Sequence, residues 1–232
     1  MTASNAPRRL VVISAGVSDP SSTRLLADRI TQKTLDRLHE SGASASATVI
    51  ELGPLAVDVA RAAVSGIPSE PLQVAIDRLA SADAVIASTP VYKAGISGVF
   101  KTFIDVLDND LLVAKPVLLA ATAGSARHAL VIDDQMRPLF AYMRALTLPT
   151  SVFAAPEDWG ATELGRRIER AATELTVLLE ADVAERIADG AWSGYQHEFA
   201  GNATRAAHSR TDIDFDSPLM RLAAGGNAGD AP

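Results

Sequence analysis

Short apolar runs alternate with longer stretches in which apolar residues return every three or four positions. The first run, Leu10-Val11-Val12-Ile13, ends at Ser14-Ala15-Gly16 and reads as a buried strand. From Ser22 to Glu40, Leu25, Leu26, Ile30, Leu35 and Leu38 keep helical spacing. Thr48 to Leu52 reads as a second strand, Glu70 to Ser81 as a helix, and Ala84 to Ser88 as a third strand that ends at Thr89-Pro90. A helix over Gly98 to Leu107 carries Val99, Phe103, Val106 and Leu107 on its inner side. Val117 to Ala120 is the fourth strand, Asp134 to Leu146 a helix, Ser151 to Ala154 the fifth strand, and Thr162 to Asp189 a long last helix.

Strands that alternate with helices imply right-handed crossovers and a parallel sheet. The expected fold class is α/β, in three layers, with a five-stranded parallel sheet in the order 2-1-3-4-5. A ligand then belongs at the carboxyl ends of the first and third strands, where the order reverses. The unusual loops of the chain follow the first, third and fourth strands, at that edge. After Gly190 the background becomes Gly, Ala, Ser and Asp, with isolated Trp192, Tyr195, Phe199, Phe215, Leu219, Met220 and Leu222. Residues 1–190 therefore read as the ligand-binding domain, and 191–232 as a C-terminal extension or arm whose anchors dock onto a neighbouring surface.

Composition narrows the chemistry. Hydrophobic residues make up 48% of the chain but aromatics only 5%, so Ala, Leu and Val carry the packing, as suits helices layered on a parallel sheet. A formal charge of -7 argues against a nucleic-acid partner. The absence of cysteine excludes disulfides and thiolate catalysis, and the 4 histidines lack metal-ligand spacing, so no metal is expected. No apolar run has membrane-spanning length and the start lacks the apolar core of a secretory signal; the expected location is the cytoplasm, with no membrane partner.

The loop from Ser14 to Thr23 carries hydroxyls at Ser14, Ser18, Ser21, Ser22 and Thr23. Hydroxyl donors beside the unpaired N–H groups of a helix start make an anion site, suited to one terminal phosphate. The dinucleotide and P-loop glycine fingerprints are absent. Ser21 and Ser22 could equally cap the helix and no more. Asp19 must point outward if a phosphate is held. After the third strand, Pro90 stiffens the chain, while Gly95 and Gly98 allow close backbone approach. Tyr92 could flank a planar ring or pack within the loop, and Lys93 could be a ligand or a solvated charge.

The stretch Thr89-Pro90-Val91-Tyr92-Lys93-Ala94, then Ser97-Gly98 and Lys101-Thr102 with Asp105, resembles the flavin-binding segment of NAD(P)H-dependent FMN reductases. Within that flavodoxin-like family it is most similar to reductases that supply alkanesulfonate monooxygenases. Ser14 and Ser21-Ser22-Thr23 fit the family's phosphate loop, with Gly16 where an arginine often stands. Thr122-Ala123-Gly124-Ser125 resembles the loop along the flavin ring, with Ala123 in place of a glycine. Asp134, Met136, Arg137, Pro138 and Leu139 continue the likeness, and residues 214–226 are similar to the ending of reductases paired with luciferase-like monooxygenases.

The resemblance implies a hydride transfer from NAD(P)H to FMN, with no dedicated catalytic side chain. It implies that Ser14, Ser21, Ser22 and Thr23 hold the phosphate, and that Thr89, Pro90, Val91, Tyr92, Lys93, Thr122, Ala123, Gly124 and Ser125 meet the flavin. His128 reads as a polar contact to ring or nicotinamide, and Arg127 as a candidate cation for a 2′-phosphate. A homodimer or homotetramer is implied, with the Gly98–Leu107 helix as a contact surface, and a flavin-dependent monooxygenase as a possible partner. The alternatives are an FMN electron carrier and an FMN-dependent quinone or azo reductase.

Overall fold

The computed structural model describes residues 7–191; the expected arm anchors from Trp192 onward lie outside the described residues. Strand β1 (Arg8–Ser14) pairs in parallel with β2 (Ala45–Glu51) on one side and β3 (Ala84–Tyr92) on the other. Next to β3 lies β5 (Pro116–Thr122), also parallel. The far edge of β5 is shared by two short strands, β6 (Leu146–Thr147) beside its start and β7 (Val152–Ala154) beside its end. The α/β class and the reversal between β1 and β3 agree with the expectation, and the expected fifth strand, Ser151 to Ala154, is β7; β6 is an additional short strand on the same edge. A two-residue strand β4 (Gly95–Ile96) folds back antiparallel on β3, which the pattern did not announce.

Strand alternation divides the core into two layers. Val11, Ile13, Val85, Ala87, Val117 and Leu119 face one side, where they meet α2 (Leu52–Ser65), α3 (Glu70–Ala80), α4 (Gly98–Asp105) and α5 (Arg137–Tyr142). Leu10, Val12, Ala84, Ile86, Leu118 and Ala120 face the other, against α1 (Ser22–Glu40) and α6 (Thr162–Glu180). With apolar residues on both faces, the central strands read as continuous apolar runs. The topology is the flavodoxin-like one.

Three helical expectations need correction. The helix expected over Asp134 to Leu146 is a π-helical turn, Ile132–Met136, followed by α5; Leu146 belongs to β6. Pro138 is tolerated only because it sits in the first turn of a new helix, where its missing N–H costs nothing. The long last helix breaks at Asp182, whose φ of 50° is left-handed, and resumes as α7 (Val183–Ala191). Helix α4 was expected to offer an apolar face to another subunit, but Phe100, Phe103 and Ile104 are all buried within this chain's own core. Helix α2 stands between the second strand and α3, where no element was expected; Pro54 falls in its first turn, and Leu52, Val59 and Ala62 supply its buried stripe. Among the described residues no helix is long and apolar enough to cross a membrane.

Candidate functional site

Because β1, β3 and β5 are parallel neighbours, the loops that follow them leave the same sheet edge. The β1 loop is held down at both ends. Ala15 N–H donates to Ser88 O at 3.0 Å, the Ser88 hydroxyl donates to Thr23 O at 3.2 Å, and the Thr23 and Thr122 hydroxyls share a buried 2.7 Å bond. The last contact joins the start of α1 to the end of β5.

Between these anchors the loop is rich in unused donors. Among the described residues, none of the backbone N–H groups from Gly16 to Thr23 donates to a protein acceptor, and Pro20 has none to donate. Ser14 is buried with its hydroxyl unpaired, and Ser22 is exposed with its hydroxyl unpaired. Ser21 caps α1: its Oγ accepts from Arg24 N–H at 3.1 Å. That hydroxyl keeps its own proton available as a donor. Gly16 makes room for it, since a Cβ there would come within 2.0 Å of Ser21 Oγ. Asp19 points to solvent, as a phosphate site requires. Arg24 stands next to the loop but is committed elsewhere, bonded to Asp28 at 2.7 Å and to Glu51. The Asp28 bond is the main cause that raises its pKa above the ordinary arginine value.

The β3 loop is a hairpin. Val91 opposes Ile96 and Tyr92 opposes Gly95, leaving Lys93 and Ala94 as a two-residue turn. Both have positive φ, 51° and 63°. A hairpin turn of this kind favours Asn-Gly or similar pairs, and each residue with a Cβ held in the left-handed region costs about 1–2 kcal/mol. The strain sits beside the cavity described below, the usual place for it. Two contacts hold the turn. Buried Thr89 accepts from Ser97 N–H at 3.1 Å and donates to Pro90 O at 3.1 Å. Gln135, in the π-helical turn, accepts from Ile96 N–H at 3.0 Å and donates to Ala94 O at 3.3 Å.

The β5 loop, Ala123 to Ser125, leads into a 3-10 turn, Ala126–His128. Between it and the hairpin lies a cavity of about 550 Å³ lined by Val91, Lys93, Ala94, Gly124, Ser125, Arg127 and His128. That volume falls within the usual range for small-molecule sites. The lining holds two cations and no carboxylate, and neither Lys93 nor Arg127 makes an ion pair among the described residues.

The residues singled out by sequence therefore converge on one edge, but in different capacities. Ser14, Ser21 and Ser22 lie along the donor-rich loop. Val91, Lys93, Gly124 and Ser125 line the cavity, Tyr92 is 49% exposed beside it, and Ala123 precedes its glycine. The hydroxyls of Thr23, Thr89 and Thr122 are used inside the protein, joining the loops, while Pro90 is buried at the end of β3. Gln135 and the role of Gly16 were missed. A glutamine inside an apparent helix carries no local signal of a contact 39 residues away.

Comparison with known proteins gives the site its context. Residues 8–160 match the family described as NADPH-dependent FMN reductase. The NADH-dependent FMN reductase SfnE of Pseudomonas putida is 37% identical over 187 residues, covering 78% of this chain and 98% of that protein. The FMN reductase (NADPH) of Pseudomonas aeruginosa is 39% identical, covering 66% of this chain and 80% of the other. A solved oxidoreductase from Corynebacterium diphtheriae superposes with a TM-score of 0.72 at 43% identity, covering 77% of this chain and 98% of that one.

Proposed function

The chain belongs to the NADPH-dependent FMN reductase family and is an NAD(P)H:FMN oxidoreductase; from that premise we propose that the donor-rich loop and the neighbouring cavity hold FMN, and that the reduced flavin is released to a luciferase-like monooxygenase. The observation that supports this reading is the Thr23–Thr122 bond, which ties the start of α1, with its run of unpaired N–H groups, to the end of the strand whose following loop borders the cavity of about 550 Å³.

The residues present fit the group. A terminal phosphate at the start of α1 takes the N–H groups between Gly16 and Thr23 and the hydroxyls of Ser14, Ser21 and Ser22, with the positive end of a 19-residue helix behind them. Backbone dipoles then do the work of the arginine that Gly16 replaces. The ring belongs between the Lys93-Ala94 turn and the Ala123 to Ser125 loop, with Pro90, Val91 and Tyr92 at its border and Thr89 and Thr122 acting through the backbones they join.

When bound, the isoalloxazine ring accepts the hydride that the reduced nicotinamide gives up. The protein's part is to hold the two rings in register and leave one face accessible. No side-chain acid, base or nucleophile is required for that transfer. Arg127 and His128 are polar contacts for the dinucleotide. The cavity lining includes no Phe, Tyr or Trp to stack on the ring, which supports release of the product over the permanent retention that marks an electron carrier. The cytoplasm and a homodimer or homotetramer complete the reading. Leu130 and Tyr142, 66% and 69% exposed, are apolar positions available for association.

Steady-state oxidation of NADH and NADPH with free FMN, riboflavin and a quinone as acceptors tests the proposal. FMN should give the highest kcat/KM, and the product should support a flavin-dependent monooxygenase in a coupled assay. A protein that purifies with tightly held FMN and reduces quinone faster than free FMN would overturn it.

A further inference from the structure

We propose that Gln135 is a positioning residue for the flavin site, acting by holding the Lys93-Ala94 turn in its left-handed conformation. The inference rests on the reading that this turn borders the flavin ring.

Three observations meet here. The turn uses two consecutive residues with Cβ atoms at φ 51° and 63°, a conformation that costs each of them about 1–2 kcal/mol. The hairpin behind it is short, with only two residue pairs, Val91–Ile96 and Tyr92–Gly95, so the ladder alone constrains the tip weakly. The side-chain amide of Gln135 closes both ends of the gap, accepting from Ile96 N–H at 3.0 Å and donating to Ala94 O at 3.3 Å.

Gln135 is absent from the cavity lining, whereas Lys93 and Ala94 are part of it. Its influence on a ligand must therefore pass through the turn. Its fit is close: a Cβ on Gly95 would lie 3.3 Å from Gln135 Oε1, so the glycine lets the amide reach the backbone. The glutamine projects from the π-helical turn Ile132–Met136, and such turns recur at functional sites. The bonds are exposed to water, which sets their influence at the modest end.

The test is a double-mutant cycle on the full chain between Gln135→Ala and Ala94→Gly, reading FMN affinity by flavin fluorescence, melting temperature, and amide exchange at Ile96. Glycine enters the left-handed region freely, so Ala94→Gly removes the strain at the residue whose carbonyl Gln135 holds and lessens the need for a clamp, Lys93 staying left-handed. Gln135→Ala should raise the FMN Kd about three- to tenfold, the weight of one or two exposed hydrogen bonds, and speed exchange at Ile96. In the Ala94→Gly background the same change should cost less than about twofold, since coupling between contacting residues is what such a cycle isolates. Equal losses in both backgrounds, or an unchanged Kd in Gln135→Ala while the wild type binds FMN, would overturn the proposal. Failure of the wild type itself to bind FMN would instead overturn the reading of the site.

Discussion

The loop after β1 and the hairpin after β3 stand side by side at one edge of the sheet, yet they are prepared for a ligand in opposite ways. In the β1 loop the backbone donors are left unpaired, from Gly16 to Thr23, while two side chains set its shape: Ser21 caps α1 and Thr23 reaches Thr122. In the hairpin the backbone is over-determined. Lys93 and Ala94 are held at positive φ by a short ladder, Thr89 and Gln135. One region stores unsatisfied hydrogen-bonding capacity and the other stores conformational strain. The first suits a charged group that recruits many weak donors; the second suits a flat group that must be met by a fixed surface.

The change with the largest expected effect breaks the first region alone. Gly16→Ala places a Cβ on Ser21 Oγ, so the cap and the cradle must shift together. Overpacking of this kind costs about 1–3 kcal/mol, which, if it falls on the bound state, is roughly 5- to 150-fold in FMN affinity. Riboflavin, which lacks the phosphate, should lose little. Parallel fluorescence titrations check this, and an equal loss for both ligands would show that the loop does not hold the phosphate.

The hairpin side should instead answer to side-chain charge. Lys93 and Arg127 border the cavity without an acidic partner among the described residues. Arg127→Ala is expected to raise the KM for NADPH about tenfold, the weight of a charge-assisted contact, and to leave the KM for NADH within about twofold. If both coenzymes lose alike, Arg127 meets the part of the dinucleotide they share.

A smaller effect, of opposite sign, probes the strain. Ala94→Gly relieves a left-handed alanine but makes the unfolded chain freer, so the net gain is below about 1 kcal/mol, or roughly 2–4 °C in melting temperature. FMN affinity should not improve, because the turn is already held in place. A lower melting temperature would mean that the turn carries no strain worth relieving.

How much of this was legible in the chain depends on the range of the interaction. The apolar runs at Leu10, Ala84 and Val117 follow from local periodicity, and strand–helix alternation with the right-handed crossover rule suggests the reversal of strand order; together they put the loops on the correct edge. Ser21 as the cap of α1 is likewise a local matter. The hairpin was hidden because Lys93-Ala94 lacks the Asn-Gly signature that marks such turns. The same mismatch is what makes the turn notable once it is seen. The break at Asp182, the extra edge strand β6 and the contact between Gln135 and Ile96 left no pattern in the chain; the last two depend on partners distant in sequence.

The smallest expected effect serves as a control on the whole comparison, because it alters the scaffold far from both regions. Helix α1 begins at the cradle, and its later turns are tied to α6 through Glu169, which bonds Lys33 at 2.7 Å and also meets Arg37. Those two cations, Lys33 first, lower the pKa of Glu169 below its usual 4.5. A carboxylate with a depressed folded-state pKa contributes stability that is present above the unfolded value and lost as pH falls through the folded one. Glu169→Gln should therefore melt lower than the wild type at pH 7, by less than about 3 °C for so exposed a network. The gap should close as the pH drops below 4.5 and the wild-type carboxylate takes up its proton. Added salt should narrow it as well, by screening the three charges. The affinities for FMN and riboflavin should stay the same at pH 7, since the start of α1 is fixed by Ser21, Ser88 and Thr122 and not by its far end. A loss of FMN affinity in this variant would mean that α1 moves as a rigid rod and that the cradle is not locally anchored.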